Sequence, residues 1–141
     1  MKKTRGYVFS RSFFGSRVPQ HIQNLVIRSF CKNNNLTYLL SAAEYSMENS
    51  YDILNTTIKQ LDGIDGLVFY SIFQLPNKTN VRKKIYKEVL QKKKKLYFAV
   101  ENLILKNNSD IEKIENILVV QSLLSVSLSK IDFKKYLKSN I

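Results

Sequence analysis

The chain has 141 residues, 44% of them hydrophobic, and a formal net charge of +12 at pH 7. This is enough for one compact domain with a buried core and too little for two ordinary domains. Polar residues interrupt every apolar run before it reaches about 18 residues, so we expect no transmembrane segment. The apolar run near the N-terminus is also too short for a secretory signal, which predicts a cytoplasmic protein.

The reactive side chains are few. Cys31 is the only cysteine and therefore has no partner for an intramolecular disulfide. One cysteine and one histidine are also too few for a typical zinc site, so we expect neither metal nor cofactor. The excess charge comes mostly from lysines, which usually cover solvated helix faces unless a nucleic-acid-binding motif accompanies them. Most arginines precede the first acidic residue, Glu44, so the chain opens with a cationic region.

The predicted elements alternate between strand and helix. Strands are expected at residues 6–10, 36–40, 66–70 and 96–100, where apolar runs are short and flanked by turn residues. Helical periodicity predicts helices over residues 19–33, 51–61 and 78–93, then a C-terminal helical region from about residue 110. In the first helix, the spacing of Ile22, Leu25 and Phe30 predicts that these side chains face the core.

This alternation predicts a single α/β domain over residues 1–141. We expect a three-layer sandwich with a mostly parallel sheet of four or five strands. Ligands of such sheets bind at the carboxyl ends of the strands, where the following loops converge. The candidate ligand-binding residues in those loops are Ser10, Arg11, Ser12, Arg17, Gln20, Tyr45, Ser71 and Gln74.

The loop at residues 11–18 has the chemistry of an anion site. Arg11 and Arg17 supply guanidinium groups, and Pro19 begins a helix whose first N–H groups have no partner inside the helix. Such donors match a phosphate or carboxylate. The alternative is an ordinary polar loop whose arginines point into solvent. The loop is not a P-loop, because no Gly-Lys-Ser/Thr sequence ends it.

His21, Glu44 and Glu101 are the candidate catalytic residues. His21 is the only histidine, so it would be the base of any imidazole chemistry, although a lone histidine on a helix is more often structural. Glu44 and Glu101 follow the second and fourth predicted strands, where nearby arginines could orient them for catalysis. Alternatively, the two carboxylates neutralise those arginines and hold the loops in place.

Several stretches resemble a family of small bacterial proteins, the sporadic carbohydrate cluster proteins. They are RGYVFSR, RVPQHIQNLVIR, Ala43-Glu44-Tyr45, GLVFYSIFQLP and LYFAVENL, and they cover roughly residues 5 to 120. The resemblance implies a role in surface-polysaccharide biosynthesis and does not specify a reaction. Together with the cationic loop, it leads us to expect an anionic sugar or nucleotide sugar as ligand.

The chain is also distantly similar to the catalytic domain of serine recombinases and resolvases, which implies a resolvase-like or flavodoxin-like fold. Ser10 or Ser12 lies near the recombinase nucleophile position. Where those enzymes carry an Asp-Arg pair and a further Arg, this chain has Phe73, Gln74 and Asn77. Because the acid and the arginines are missing, and no helix-turn-helix module follows, we do not expect strand exchange.

The sequence also suggests partners. The apolar stripe of the C-terminal helical region, which includes Leu124, is wide enough for more than one neighbour and predicts a homodimer. Two alternatives are left open. One is nucleic-acid binding through the lysine-rich segment 78–95, and the other is a non-catalytic role as partner of a biosynthetic enzyme. No membrane partner is expected.

Overall fold

The computed structural model describes residues 2–13, 15 and 17–139, with side chains described up to residue 126. The strands are β1 (Lys2–Val8), β2 (Leu36–Ala43), β3 (Gly66–Phe69), β4 (Lys95–Phe98) and β5 (Leu103–Leu105). The helices are α1 (Gln20–Asn33), α2 (Asp52–Lys59), α3 (Thr79–Gln91) and α4 (Asn108–Ser139). None of these described helices combines the length and the apolarity needed to cross a bilayer.

The strands form one five-stranded sheet in the order β2-β1-β3-β4-β5. The first four strands are parallel, and β5 runs antiparallel to β4. The central strand, β3, is buried along its whole length, as its uninterrupted apolar sequence requires. The predicted α/β sandwich with a mostly parallel sheet is therefore confirmed.

Helices cover both faces of the sheet and create two apolar clusters. On one face, Ile27 and Phe30 of α1 pack with Val8 and Val68. On the other, residues of α2, α3 and α4 pack against inward-facing strand residues, and most of the largest fully buried side chains belong to this cluster. The larger cluster includes Tyr7, Leu54, Phe69, Tyr86, Phe98 and Ile114. Residues from distant parts of the chain thus share one core, which holds the loops at the sheet edges in fixed positions.

The face of α1 that enters the core differs in part from the predicted one, since Phe30 is buried as predicted but two other residues are not. Ile22 and Leu25 are 38% and 64% exposed, whereas Gln23 and Ile27 are fully buried. The reason is that the Gln23 amide donates to the carbonyl oxygens of Phe9 (2.7 Å) and Val18 (2.8 Å), which turns the helix toward the sheet on that side. The prediction for Ile22 and Leu25 was wrong because a buried polar side chain can outweigh the apolar period.

The second strand also departs from its prediction. It extends to Ala43 and lies at the edge of the sheet, and most of its residues are only partly buried. Leu36 is buried where the strand begins, but Leu40 is 76% exposed. A continuous apolar run predicted burial, and it could not reveal that β1 alone pairs with this strand.

A tight motif ends α3. The N–H of Lys94 donates to the carbonyl of Val89, and the N–H of Lys93 donates to the carbonyl of Leu90, each at 3.0 Å. Lys93 has φ of +58°, a left-handed conformation that glycine adopts more easily than any other residue. A lysine therefore occupies the position at which most helices of this type carry glycine.

Candidate functional site

The loops that follow β1 to β4 leave the sheet at the same edge, which we call the carboxyl edge. Two clusters of predicted site residues lie there. One joins the ends of β1 and β2 and contains Ser10, Arg11, Arg17, Glu44 and Tyr45. The other joins the ends of β3 and β4 and contains Ser71, Gln74 and Glu101.

Arg11 holds the loop after β2. Its guanidinium carbon lies 4.5 Å from the ring centre of Phe9 and 4.6 Å from that of Tyr51. Its Nη1 donates to the carbonyl oxygens of Tyr45 (3.3 Å) and Met47 (2.9 Å), and its Nη2 is buried without a hydrogen-bond partner in the described part of the chain. Stacking and backbone contacts thus occupy a guanidinium that the sequence assigned to a ligand.

Glu44 caps the N-terminus of α2. The side chain is buried, and its Oε1 accepts from the Tyr7 hydroxyl (2.9 Å) and the Leu54 N–H (3.1 Å). Its Oε2 accepts from the N–H groups of Ile53 (3.0 Å) and Tyr45 (3.1 Å). A carboxylate at a helix N-terminus satisfies otherwise unpaired donors and interacts well with the helix dipole. This geometry favours the structural interpretation of Glu44, and its catalytic role stays a prediction.

Glu101 does the same for a shorter element. A 3-10 turn spans Ile72–Gln74, and the N–H of Ile72 donates to Glu101 Oε1 at 2.8 Å. The Ser71 hydroxyl donates to Glu101 Oε2 at 2.7 Å, so the carboxylate ties the ends of β3 and β4 together. The geometry again favours loop fixation, and catalysis by Glu101 stays a prediction.

A buried pair of glutamines links the two clusters, and Gln23 of this pair was not predicted as a site residue. The amide of Gln74 donates to Gln23 Oε1 at 2.7 Å, and both residues are fully buried. Above the ends of β1 and β3, Phe13 packs edge-on against Phe9 (5.5 Å between ring centres) and Tyr70 (5.9 Å). The connection after β1 leads to β2 on one side of it, whereas β3 and β4 follow on the other side, so the strand order reverses between β1 and β3. Open sheets usually bind ligands at such a point. Here protein side chains fill much of that crevice.

The outer rim of the carboxyl edge presents unused donors. Arg17 is exposed, and its Nε donates to the carbonyl oxygen of Ser10 at 3.0 Å, which leaves the outer guanidinium nitrogens without a described partner. Pro19 precedes α1, no side chain caps this helix, and its first turn contains no acidic residue. The N–H groups of Gln20 and His21 have no acceptor in the described part of the chain. Two backbone donors therefore lie at the positive end of a helix, and the exposed Arg17 shortly precedes that helix in the chain.

Three further predicted residues are exposed. The side chains of Ser12, His21 and Tyr45 are exposed and make no side-chain hydrogen bond within the described residues. The described part of the chain also contains no cluster of three or more His, Cys, Asp or Glu side chains that could bind a metal ion.

Three buried tyrosines donate their hydroxyls to carboxylates, a pattern that the sequence did not suggest. The pairs are Tyr7–Glu44, Tyr86–Glu115 and Tyr97–Asp65. Burial is the largest cause that raises the pKa of each phenol above its ordinary value of 10.0, and the neighbouring carboxylate raises it further. Each tyrosine therefore stays protonated in the folded chain at a pH where it ionises in the unfolded chain.

This difference predicts a loss of stability at alkaline pH. The contribution of each tyrosine is complete below pH 10.0, the ordinary pKa, and is lost as the pH rises towards the raised folded pKa. Each phenol should lower the free energy of unfolding by about 1.4 kcal/mol per pH unit in that range.

Urea unfolding between about pH 8 and pH 12 measures this slope of the free energy of unfolding against pH. Tyr86→Phe should remove about one phenol's share, whereas Tyr45→Phe, at an exposed position, should leave the slope unchanged. Equal slopes in wild type and Tyr86→Phe would contradict this explanation.

Comparison with solved structures identifies the fold. The chain is similar to a resolvase family site-specific recombinase from Streptococcus pneumoniae, with a TM-score of 0.60, 9% identity, and 94% of this chain and 97% of the other covered. It is also similar to the N-terminal catalytic domain of TP901-1 integrase, with a TM-score of 0.57, 10% identity, and 90% and 98% covered. No family model matches the sequence, and the search of curated proteins found no match. The resemblance to carbohydrate cluster proteins thus gains no support, and the structural likeness shows a resolvase-like fold alone.

Proposed function

We propose that this chain is a small cytoplasmic binding protein that holds an anionic, phosphorylated sugar at the N-terminus of α1. The observation that carries the proposal is the pair of N–H groups at Gln20 and His21 that have no acceptor among the described residues, shortly after the exposed Arg17 in the chain. Backbone donors at the positive end of a helix bind phosphates well, and a guanidinium adds charge-assisted hydrogen bonds. The sugar and the place in surface-polysaccharide biosynthesis come from the sequence resemblance.

Binding is better supported than catalysis. Glu44 and Glu101 direct their carboxylates to backbone N–H groups, so neither points to a ligand at the rim. The exposed Ser12 and Tyr45 offer hydroxyls for a sugar, and the exposed His21 would be the base if a reaction occurs. Strand exchange is not part of the proposal, because the Gln74 amide at one matched recombinase position is committed to Gln23.

A thermal-shift panel of nucleoside diphosphate sugars and inorganic phosphate tests the proposal. A ligand at a hundred times its Kd stabilises a protein by about 2.7 kcal/mol, which corresponds to a Tm increase of roughly 8 °C for a domain of this size. Arg17→Gln should remove most of the increase. Arg28→Gln is the matched control, since Arg28 is an exposed arginine further along α1 that stacks on Tyr38. The proposal fails if no compound stabilises the wild type, or if both variants respond alike.

Self-association is a second proposal, and α4 is the surface that supports it. The exposed apolar side chains of this helix include Val119, Val120, Leu123, Leu124 and Val126, each about half exposed or more. Residues 117–129 contain no charged side chain at all. A helix that is apolar on several faces is normally covered, and we propose that a second copy of the chain covers it.

Leu124→Glu tests the homodimer. Sedimentation velocity should show a dimer for the wild type and a monomer for the variant, because a carboxylate would have to be buried without a partner. Lys113→Glu, on an exposed part of the same helix before the apolar segment, is the control and should remain dimeric. A monomeric wild type would contradict the proposal.

A further inference from the structure

The edge of the sheet opposite the predicted site carries a concentration of lysines. Parallel strands begin there, and the helices that precede them end there. Lys2 begins β1 and Lys95 begins β4, while the pairing of Leu96 with Leu105 places Lys106 at the same edge. The turn after α3 adds two more lysines. We call this surface the amino-edge lysine patch, consisting of Lys2, Lys3, Lys93, Lys94, Lys95 and Lys106.

Little negative charge offsets this patch. Among the described residues, its only ion pair joins Lys95 Nζ to Asp65 Oδ2 at 3.9 Å. Asp110 is buried and accepts from the backbone N–H of Lys106, where it caps α4. The turn between α2 and β3 contains one further acidic residue, the exposed Asp62. The neighbouring Lys2 ammonium and partial burial lower the pKa of Lys95, as expected where cations crowd one another.

Stabilisation of helix ends does not account for the whole patch. Lys93 and Lys94 follow α3 and complement the negative end of its dipole. Lys2, Lys3 and Lys106, however, lie at strand ends, where no helix terminus requires a cation. They are exposed and have no acidic partner in the described part of the chain. A surplus of positive charge therefore remains available to an external partner.

We propose that the amino-edge lysine patch docks this protein on a membrane surface of anionic lipid headgroups. The strand register keeps the starts of β1, β3 and β4 within a few residues of one level, which gives a broad face suited to a flat surface. Juxtaposed lysines are attracted to anionic lipids without inserting into the bilayer. The carboxyl edge, with the proposed ligand site, would then point away from the lipid. This proposal replaces the expectation of no membrane partner and does not depend on the ligand site.

Other polyanions fit this surface less well. The large exposed apolar and aromatic side chains of the described residues lie on other elements, so the patch offers no ring for stacking nucleic-acid bases. The ends of α1, α2 and α3 direct carbonyl groups towards this edge, which disfavours a close phosphate pocket. Long lysine side chains that reach a diffuse negative plane avoid that penalty.

Vesicle co-sedimentation of the whole chain tests the proposal. We expect binding to vesicles of equal parts phosphatidylcholine and phosphatidylglycerol, no binding to phosphatidylcholine alone, and release in about 1 M salt. The combined variant Lys93→Gly/Lys95→Gln/Lys106→Gln should bind about a hundredfold more weakly. Glycine is chosen at position 93 because it suits the left-handed backbone there. The control Lys83→Gln/Lys84→Gln/Lys87→Gln removes equal charge from exposed positions of α3 and should bind within about threefold of wild type.

Three results would overturn the proposal. The first is a wild type that does not bind anionic vesicles, and the second is an equal loss in the two triple variants. The third is binding to duplex DNA, but not to vesicles, that the amino-edge variant abolishes, since this would assign the patch to nucleic acid. Unfolding curves establish that each variant is folded, and Lys2→Gln/Lys3→Gln replaces the triple variant if it is not. Arg17→Gln should leave vesicle binding unchanged, which separates this test from that of the ligand site.

Discussion

Glu44→Ala is expected to lower the free energy of unfolding by about 3 to 5 kcal/mol. The carboxylate is 4% exposed and accepts four hydrogen bonds. Its removal leaves the Tyr7 hydroxyl and the first N–H groups of α2 buried without acceptors, and it opens a cavity between the two. Chemical denaturation monitored by circular dichroism measures the loss.

Two variants make the test specific to the capping contacts. Glu48→Ala removes an exposed carboxylate from the same loop and should change stability by less than about 0.5 kcal/mol. Glu44→Gln keeps one carbonyl acceptor but places an amide group against N–H donors, so it should fall between wild type and Glu44→Ala. A loss at Glu44→Ala no larger than that at Glu48→Ala would show that the cap contributes little.

Arg82→Met should be comparably destabilising, by about 3 to 5 kcal/mol. Arg82 is 8% exposed, and its Nε lies 2.9 Å from Glu115 Oε2. Its Nη1 also donates to the carbonyl oxygens of Pro76 (3.0 Å) and Asn77 (2.7 Å). Within the described residues, the substitution leaves the largely buried Glu115 carboxylate with only the Tyr86 hydroxyl as partner, and it frees the loop before α3.

The double variant Arg82→Met/Glu115→Leu distinguishes the loss of an ion pair from the loss of packing. Removing both charges avoids an unpaired buried carboxylate, so the double variant should be more stable than Arg82→Met alone. The neighbouring Lys83→Met, at an exposed position, should be nearly neutral. Both variants lose the contacts of Arg82 to the loop carbonyls, so a double variant no more stable than Arg82→Met would indicate that the loss of those contacts dominates.

The fold could be predicted largely from local patterns. GLVFY is an apolar run bounded by turn residues, and its first four residues form the fully buried strand β3. Alternation of such runs with helical periods leaves few topologies other than a mostly parallel sheet. The burial of Gln23 could not be predicted, because it depends on hydrogen bonds of the Gln23 side chain to Phe9 and Gln74, which are distant in sequence. Analysis of apolar periodicity assigns a glutamine to the surface, because it takes no account of hydrogen bonds between distant residues.

The topology predicts where a candidate site should lie, but it does not predict the contacts that each residue there makes. Arg11 and Arg17 were predicted as ligand-binding residues on equal grounds. Their structures differ because two aromatic rings and two carbonyls hold Arg11, whereas the end of the Arg17 side chain is exposed. Likewise, Glu44 accepts hydrogen bonds from backbone N–H groups of α2. Every residue except proline has such a donor, so the pattern of side chains does not predict which donors a carboxylate will bind.

Amide chemical shifts test the central claim, anion binding at the N-terminus of α1, most directly. In a titration of ¹⁵N-labelled protein with a nucleoside diphosphate sugar, we expect saturable shifts that are largest at the N–H groups of Gln20 and His21. Arg17→Gln should weaken the titration markedly, since the guanidinium supplies charge-assisted hydrogen bonds to the same anion. Titration with inorganic phosphate should move the same two amides. Shifts confined to Lys93–Lys95, or no saturable shifts with either compound, would contradict the proposed site.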